Sequence, residues 1–172
     1  MSESYWAQVN EPTLRQGDHL RDCCVPIFVD PSDGSGTHNI PVDVYDLIVL
    51  TQSCDLDRAK IRLVAMCPIF PVAEFEKKNP EFKKKDKWNQ VRKGRVEGLH
   101  MLGSQLDPDN NREALVVDFR EIYSLPYEYL LKHATQLGPR CRLKSPFLEH
   151  FSQAFARFFM RVGLPSSIPE FQ

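Results

Sequence analysis

The sequence predicts a mainly β protein with accessory helices, an α+β chain folded as one domain over residues 1–172. Three observations predict it. Two apolar, β-rich runs, "VYDLIVLTQ" and "KIRLVAMCPIF", stand on either side of a short polar link, as the arms of an antiparallel hairpin do. Further short strand-like runs are separated by Gly, Pro, Asn and Asp turn residues. One long helical pattern comes near the end of the chain.

Bulk composition sets the outer limits. The chain has 172 residues, 42% of them hydrophobic and 26% charged, enough for one domain with a sizeable core. Lys+Arg 22 against Asp+Glu 23 leaves a net charge of -1. That excludes a generally basic, nucleic-acid-coating protein but allows a local basic patch. No apolar run approaches the roughly 18–20 residues that cross a bilayer. The start, "MSESYWAQVNEP", lacks the basic-then-apolar order of a secretory signal, so the expected address is cytoplasmic, with no membrane partner. Cys23, Cys24, Cys54, Cys67 and Cys141 are odd in number and irregular in spacing, and they read as reduced thiols. His19 with Cys23 or Cys24 is the nearest approach to a zinc pattern and is too sparse for one, so neither metal nor cofactor is expected.

In chain order, Gly17-Asp18 is turn chemistry before a strand in "DCCVPIFVD", which Pro26 restricts to an edge or a bulge. "DPSDGSGTHNIP", 30–41, is a long polar loop. The central hairpin follows. The segment 73–98 then changes character. Lys77, Lys78, Lys83, Lys84, Lys85, Lys87, Arg92, Lys93 and Arg95 surround Phe75, Phe82 and Trp88, and Pro80 divides the segment into two short helices. It reads as a surface insertion. "LHMLGSQ" is a short strand, "DPDNN" a turn, and a strand around 114–119 leads to an irregular turn at Ser124-Leu125-Pro126. "YEYLLKHATQLG" is a short helix closed by Gly138. "RCRLKSP" is a strand or an extended linker. The last helix, 145–163, has Ser145 as N-cap, Pro146 at its first position and Gly163 as its stop. Phe147, Phe151, Phe155, Phe158 and Val162 form its apolar stripe, with Arg157 and Arg161 on the other side.

This order of elements resembles the PemK/MazF-like family, a small SH3-like β-barrel with a C-terminal helix. The residues that carry the resemblance are "QGDHL", "DLIVLTQ" with "RLVAMCPI", and "VVDFREIYSLP" before the last helix. It spans most of the chain except the lysine-rich insertion. The phrase "LTQSCDL" is also similar to one in bacterial proteins without an assigned activity. The resemblance implies a bacterial, toxin–antitoxin-like module. Toxin members of the family cut RNA with an Arg just before the central strand and a Thr or Ser just after its partner strand. This chain departs at both places, with Tyr45-Asp46 before the strand and Phe70 after "CPI". A carboxylate where a phosphate-stabilising cation belongs repels the substrate. The family's ribonuclease chemistry is therefore not carried over.

Three candidate sites remain. The polar knot after "LIVL" offers Cys54 as a nucleophile with Ser53 or Asp55 assisting, and His100 or His133 as bases brought near by folding. The plainer reading is a turn, with Ser53 and Asp55 bonded to backbone amides and Cys54 packed inward. The insertion offers Lys83, Lys84, Lys85, Arg92, Lys93 and Arg95 for phosphates and Trp88 for base stacking, as single-stranded nucleic acid requires. Its plainer reading is a solvated amphipathic helix anchored by its aromatics. Tyr123, Tyr127 and Tyr129 offer a peptide groove, or else ordinary packing with hydroxyls at the surface. The leading expectation is a module binding RNA or single-stranded DNA, or a protein partner encoded nearby. A cysteine-dependent enzyme centred on Cys54 and an interaction subunit, dimeric through the barrel face, are the alternatives.

Overall fold

The computed structural model describes residues 3–27, 40–57 and 61–160, with the Lys85 side chain left aside. The expected loop 30–41 lies almost wholly outside the described residues, as do Val162 and Gly163 of the terminal helix. Eight strands are described. A six-stranded antiparallel sheet holds β2 (His19–Pro26), β3 (Val42–Val49), β4 (Leu63–Pro71), β5 (Leu99–Leu102), β6 (Leu115–Asp118) and β7 (Tyr123–Pro126). Its order is β2-β3-β4-β6-β5, with β7 also on β4. A separate two-stranded ribbon joins β1 (Trp6–Val9) to β8 (Arg140–Leu143). The architecture is α+β, dominated by antiparallel sheet. Among the described residues neither sheet closes on itself.

The central hairpin forms as its pattern requires, with Leu47 opposite Pro68 and Val49 opposite Met66. Its near-continuous apolar run has a physical cause, because both faces are buried. Leu47, Val49, Val64 and Met66 enter one cluster with Leu125, Leu130 and Ala134. Ile48, Leu50, Cys67 and Ile69 enter a second with Val117, Phe119 and Phe151. Thus helix α4 (Tyr127–Leu137) covers one side and helix α5 (Phe147–Phe159) the other. Pro26 ends β2, which stands at the sheet edge, and a register shift between Leu20 and Cys23 marks a bulge there. Asp22 takes a positive φ of 54° in that bulge, and its N–H donates to Asp46 Oδ1 at 3.0 Å.

Two local expectations are corrected, and one strand appears that was not expected. Ser124-Leu125-Pro126 is not an irregular turn but strand β7, paired with Leu63–Met66; cross-strand pairing outweighs the turn preference of Ser and Pro. Strand β1 has no alternating pattern and exists through its pairing with β8. Ser145 does not cap α5: Pro146 occupies the N-cap, and the Ser145 hydroxyl donates to Glu149 Oε1. In the apolar stripe, Phe151 is fully buried and Phe147, Phe155 and Phe158 pack around the same cluster, whereas Phe159 is exposed.

The lysine-rich segment holds helix α2 (Val72–Lys78), a 3-10 turn (Pro80–Lys83) and helix α3 (Lys85–Arg92), divided at Pro80 as expected. It is more than a surface attachment. Phe75, Phe82 and Val91 are buried with Phe70, Leu99 and Val116 in a third cluster. Phe75 meets Phe82 edge-on at 5.2 Å.

Candidate functional site

A cleft of about 490 Å³ opens where α2, α3, β5 and the turn at Asn111–Glu113 meet. Val72, Trp88 and Met101 give it an apolar wall. Lys83, Arg92 and Arg112 bring three cations, Asn89 and Asn111 two amides, and Glu76 one carboxylate. The local reasons are plain. Helical spacing puts Trp88 and Arg92 four residues apart on one face of α3. The 3-10 turn brings Lys83 beside them while turning Phe82 inward. Asn110 Oδ1 accepts the Arg112 N–H at 3.1 Å and holds the turn that carries Arg112.

Trp88 is the pivot of the wall. Its indole lies 5.8 Å from the Phe75 ring and 5.2 Å from the Phe82 ring, and its Nε1–H donates to Glu76 Oε1 at 2.8 Å. The ring is therefore held in one orientation while remaining partly exposed. Lys83, Arg92 and Arg112 are exposed, and among the described residues none of them has a carboxylate within salt-bridge distance. Of the expected nucleic-acid contacts, the cleft brings together Lys83 and Arg92 for phosphate and Trp88 for stacking. Lys84, Lys93 and Arg95 are exposed but do not line it. Lys85 opens α3 with its backbone. Arg112 was not expected; it lies outside the basic run, and only the fold joins it to Arg92.

The polar knot takes a different form from the one expected. Ser53–Leu56 make a single helical turn, α1. Ser53 Oγ accepts the Gln16 N–H at 3.1 Å. Leu56, not Cys54, packs inward. Cys54 is exposed, and among the described residues its one hydrogen bond runs to Gln52 Oε1 at 3.7 Å. Asp55 is exposed beside it. The two histidines are engaged elsewhere. His100 stacks on Phe119, and burial with the nearby His150 lowers its pKa to about 4. His133 Nε2 contacts the Arg21 carbonyl at 2.6 Å. The structure thus places no base against Cys54 among the described residues. Cys23 and Cys67 are buried, and burial, reinforced by Asp46, raises the Cys23 pKa to about 12.

Asp46, which stands just before the apolar run of the central strand, is committed to structure. Besides holding Asp22, its Oδ2 faces His19 Nε2 at 3.7 Å, an electrostatic contact longer than a hydrogen bond. Burial alone would raise the Asp46 pKa, but the contacts with His19 and the Asp22 N–H outweigh it and hold the carboxyl below its usual range. His19 Nδ1 meets Gln105 Nε2 at 2.7 Å. Phe70 is buried, with the Lys78 ammonium 4.5 Å from its ring centre. The tyrosines pack around the first cluster. Tyr129 Oη accepts the Cys24 N–H at 2.7 Å and Tyr123 Oη donates to Glu121 at 2.9 Å.

A second charged group was missed entirely from sequence. Asp18 is fully buried and receives Arg140 Nη2 at 3.0 Å, Arg142 Nη2 at 3.0 Å and the Arg15 N–H at 3.0 Å. Arg142 Nε also donates to Asp18, and its Nη1 to Glu11. Arg140 donates to the carbonyls of Glu11 at 2.8 Å and Thr13 at 2.6 Å. The Gly17-Asp18 turn carries this network. Gly17 has φ 81°, and a Cβ there would stand 2.9 Å from Leu143 Cβ. No helix among the described residues is long and apolar enough to cross a membrane. No protein-family model matches the chain, and no curated protein is significantly similar to it.

Proposed function

We propose that this protein is a bacterial module of PemK/MazF-like ancestry that binds single-stranded nucleic acid through the cleft between α2, α3 and β5, without the family's ribonuclease chemistry. The observation that carries the reading is the convergence of Lys83, Arg92 and Arg112, all exposed and, among the described residues, without carboxylate partners, around the partly exposed indole of Trp88. Phosphates need cations free to receive them, and unpaired bases need a flat apolar surface. An interior of about 490 Å³ falls in the range of sites that enclose a nucleotide-sized group. The central hairpin and the terminal helix in their expected order support the ancestry. Asp46 and Phe70 at the positions of the catalytic groups support the absence of cleavage.

The test is fluorescence anisotropy with short single-stranded RNA and DNA across a salt series. Binding at low salt should weaken linearly on logarithmic axes, with a slope of about -2 for three phosphate contacts on a single strand. The oligonucleotide should remain intact throughout. No binding at low salt, or affinity indifferent to salt, would sink the reading.

A further inference from the structure

Among the described residues, Glu76 is the one carboxylate lining a cleft that also carries three cations, two amides and an apolar wall. A surface that only holds phosphates gains nothing from it, because a negative charge there opposes every phosphate that approaches. Its position suggests a second task. Oε1 accepts the Trp88 indole N–H at 2.8 Å, which fixes the carboxylate at the edge of the ring on which a base would stack. Oε1 keeps a lone pair, Oε2 has no hydrogen bond among the described residues, and the group is only partly buried.

We infer that the cleft selects guanine, with Glu76 reading the base that Trp88 helps to seat; the inference rests on the nucleic-acid reading above. Among the common bases, guanine alone presents two adjacent donors on its pairing edge, the N1–H and the N2 amine, and a carboxylate accepts both. Adenine and cytosine offer one exocyclic amine on that edge, and uracil a single N–H. Beside its two donors guanine carries the O6 acceptor, and the amides of Asn89 and Asn111 line the same cleft to donate to it. Val72 and Met101 supply the apolar wall opposite polar solvent, while Lys83, Arg92 and Arg112 remain for the flanking phosphates. Unpaired bases are read in this way elsewhere, by stacking together with hydrogen bonds to the pairing edge.

Labelled RNA pentamers UUGUU, UUAUU, UUCUU and UUUUU test the inference at one fixed low salt concentration. A bidentate base contact discriminates by roughly tenfold or more, so UUGUU should bind that much more tightly than the others. Replacing guanine by hypoxanthine, which lacks the N2 amine, should forfeit most of the advantage. Glu76→Gln keeps an oxygen for the indole N–H but replaces the second acceptor with a donor. It should bring the four pentamers within about twofold of one another. Equal binding of all four by the unaltered protein would overturn the selectivity and leave the phosphate-binding reading standing. A uniform loss in Glu76→Gln with the preference intact would also overturn it, showing that Glu76 merely positions Trp88. No binding of any pentamer would remove both readings together.

Discussion

Two clusters of arginines in this molecule have opposite fates. Arg140 and Arg142 lie against Asp18, with side-chain exposures of 2% and 14%, and nearly every donor they carry is used. At the surface end Glu11 takes a second contact from Arg142, so each guanidinium faces an anion. Arg92 and Arg112 stand in solvent at the cleft, and among the described residues no carboxylate pairs with them. The first cluster ties β8 to the turn before β2 and to the backbone of Glu11 and Thr13. Among the described residues the side chains of the second tie no elements together. The difference teaches where to look for function: an arginine whose hydrogen bonds are complete belongs to the fold, and one held in place but left unsatisfied is available to a ligand.

The largest effect should follow from breaking the closed cluster. Asp18→Asn keeps the shape but leaves two guanidinium groups facing each other with no buried anion between them. Removing one partner of a buried ion pair costs about 3–5 kcal/mol, a large share of a small domain's stability. Urea unfolding should show that loss. A change below about 1 kcal/mol would mean that water or Glu11 takes over, and the cluster would no longer count as a structural lock.

His100 sharpens the contrast, since it is a half-buried base packed against aromatic rings, with no carboxylate among the groups that shift its pKa. An arginine in such a place keeps its charge and requires an anion; a histidine gives up its proton instead. Burial between Phe119 and Phe151, with His150 nearby, lowers its pKa from 6.5 to about 4. Between these values the unfolded chain binds the proton and the folded chain does not. Stability should therefore be fully present above pH 6.5 and fall as the pH drops toward 4, by up to about 2 kcal/mol at pH 5. The carboxyls held below their usual range, Asp46 among them, lose their contribution only at lower pH. His100→Gln should flatten the curve between pH 6.5 and 5, measured by denaturant titration. An unchanged slope would show that His100 is hydrated.

Much of the fold was legible in the sequence because the responsible forces are local or periodic. The hairpin was readable because "LIVL" and the run from Val64 to Ile69 pack into clusters on both faces, and α5 because its phenylalanines recur at helical spacing. Strand β7 was misread because its Pro126 and Ser124 favour a turn, and only the register against Leu63–Met66 overrides them. The Asp18 network was invisible because its members are 122 and 124 residues apart. Half the cleft was visible as interleaved lysines and aromatics. Arg112 and Met101 were not, since β5 and the turn after it join α3 only in three dimensions. Glu76 was not singled out, because a sequence does not show that its oxygen meets the Trp88 indole.

The smallest effect on stability and the clearest on binding should come from Arg112. Its backbone N–H is held by Asn110 Oδ1, a bond that survives replacement of the side chain, and the guanidinium is exposed. Arg112→Ala should therefore alter the unfolding free energy by no more than about 0.5 kcal/mol. If the guanidinium receives one phosphate, its loss should make the salt dependence of single-strand binding shallower by about 0.7 on logarithmic axes, uniformly across sequences. Guanine preference should persist, because Glu76 and the phosphate contacts act on different parts of the nucleotide. Two results would break the division between the arginine clusters. A stability loss above 1 kcal/mol would move Arg112 into the fold, and an unaltered salt slope would remove it from the interface.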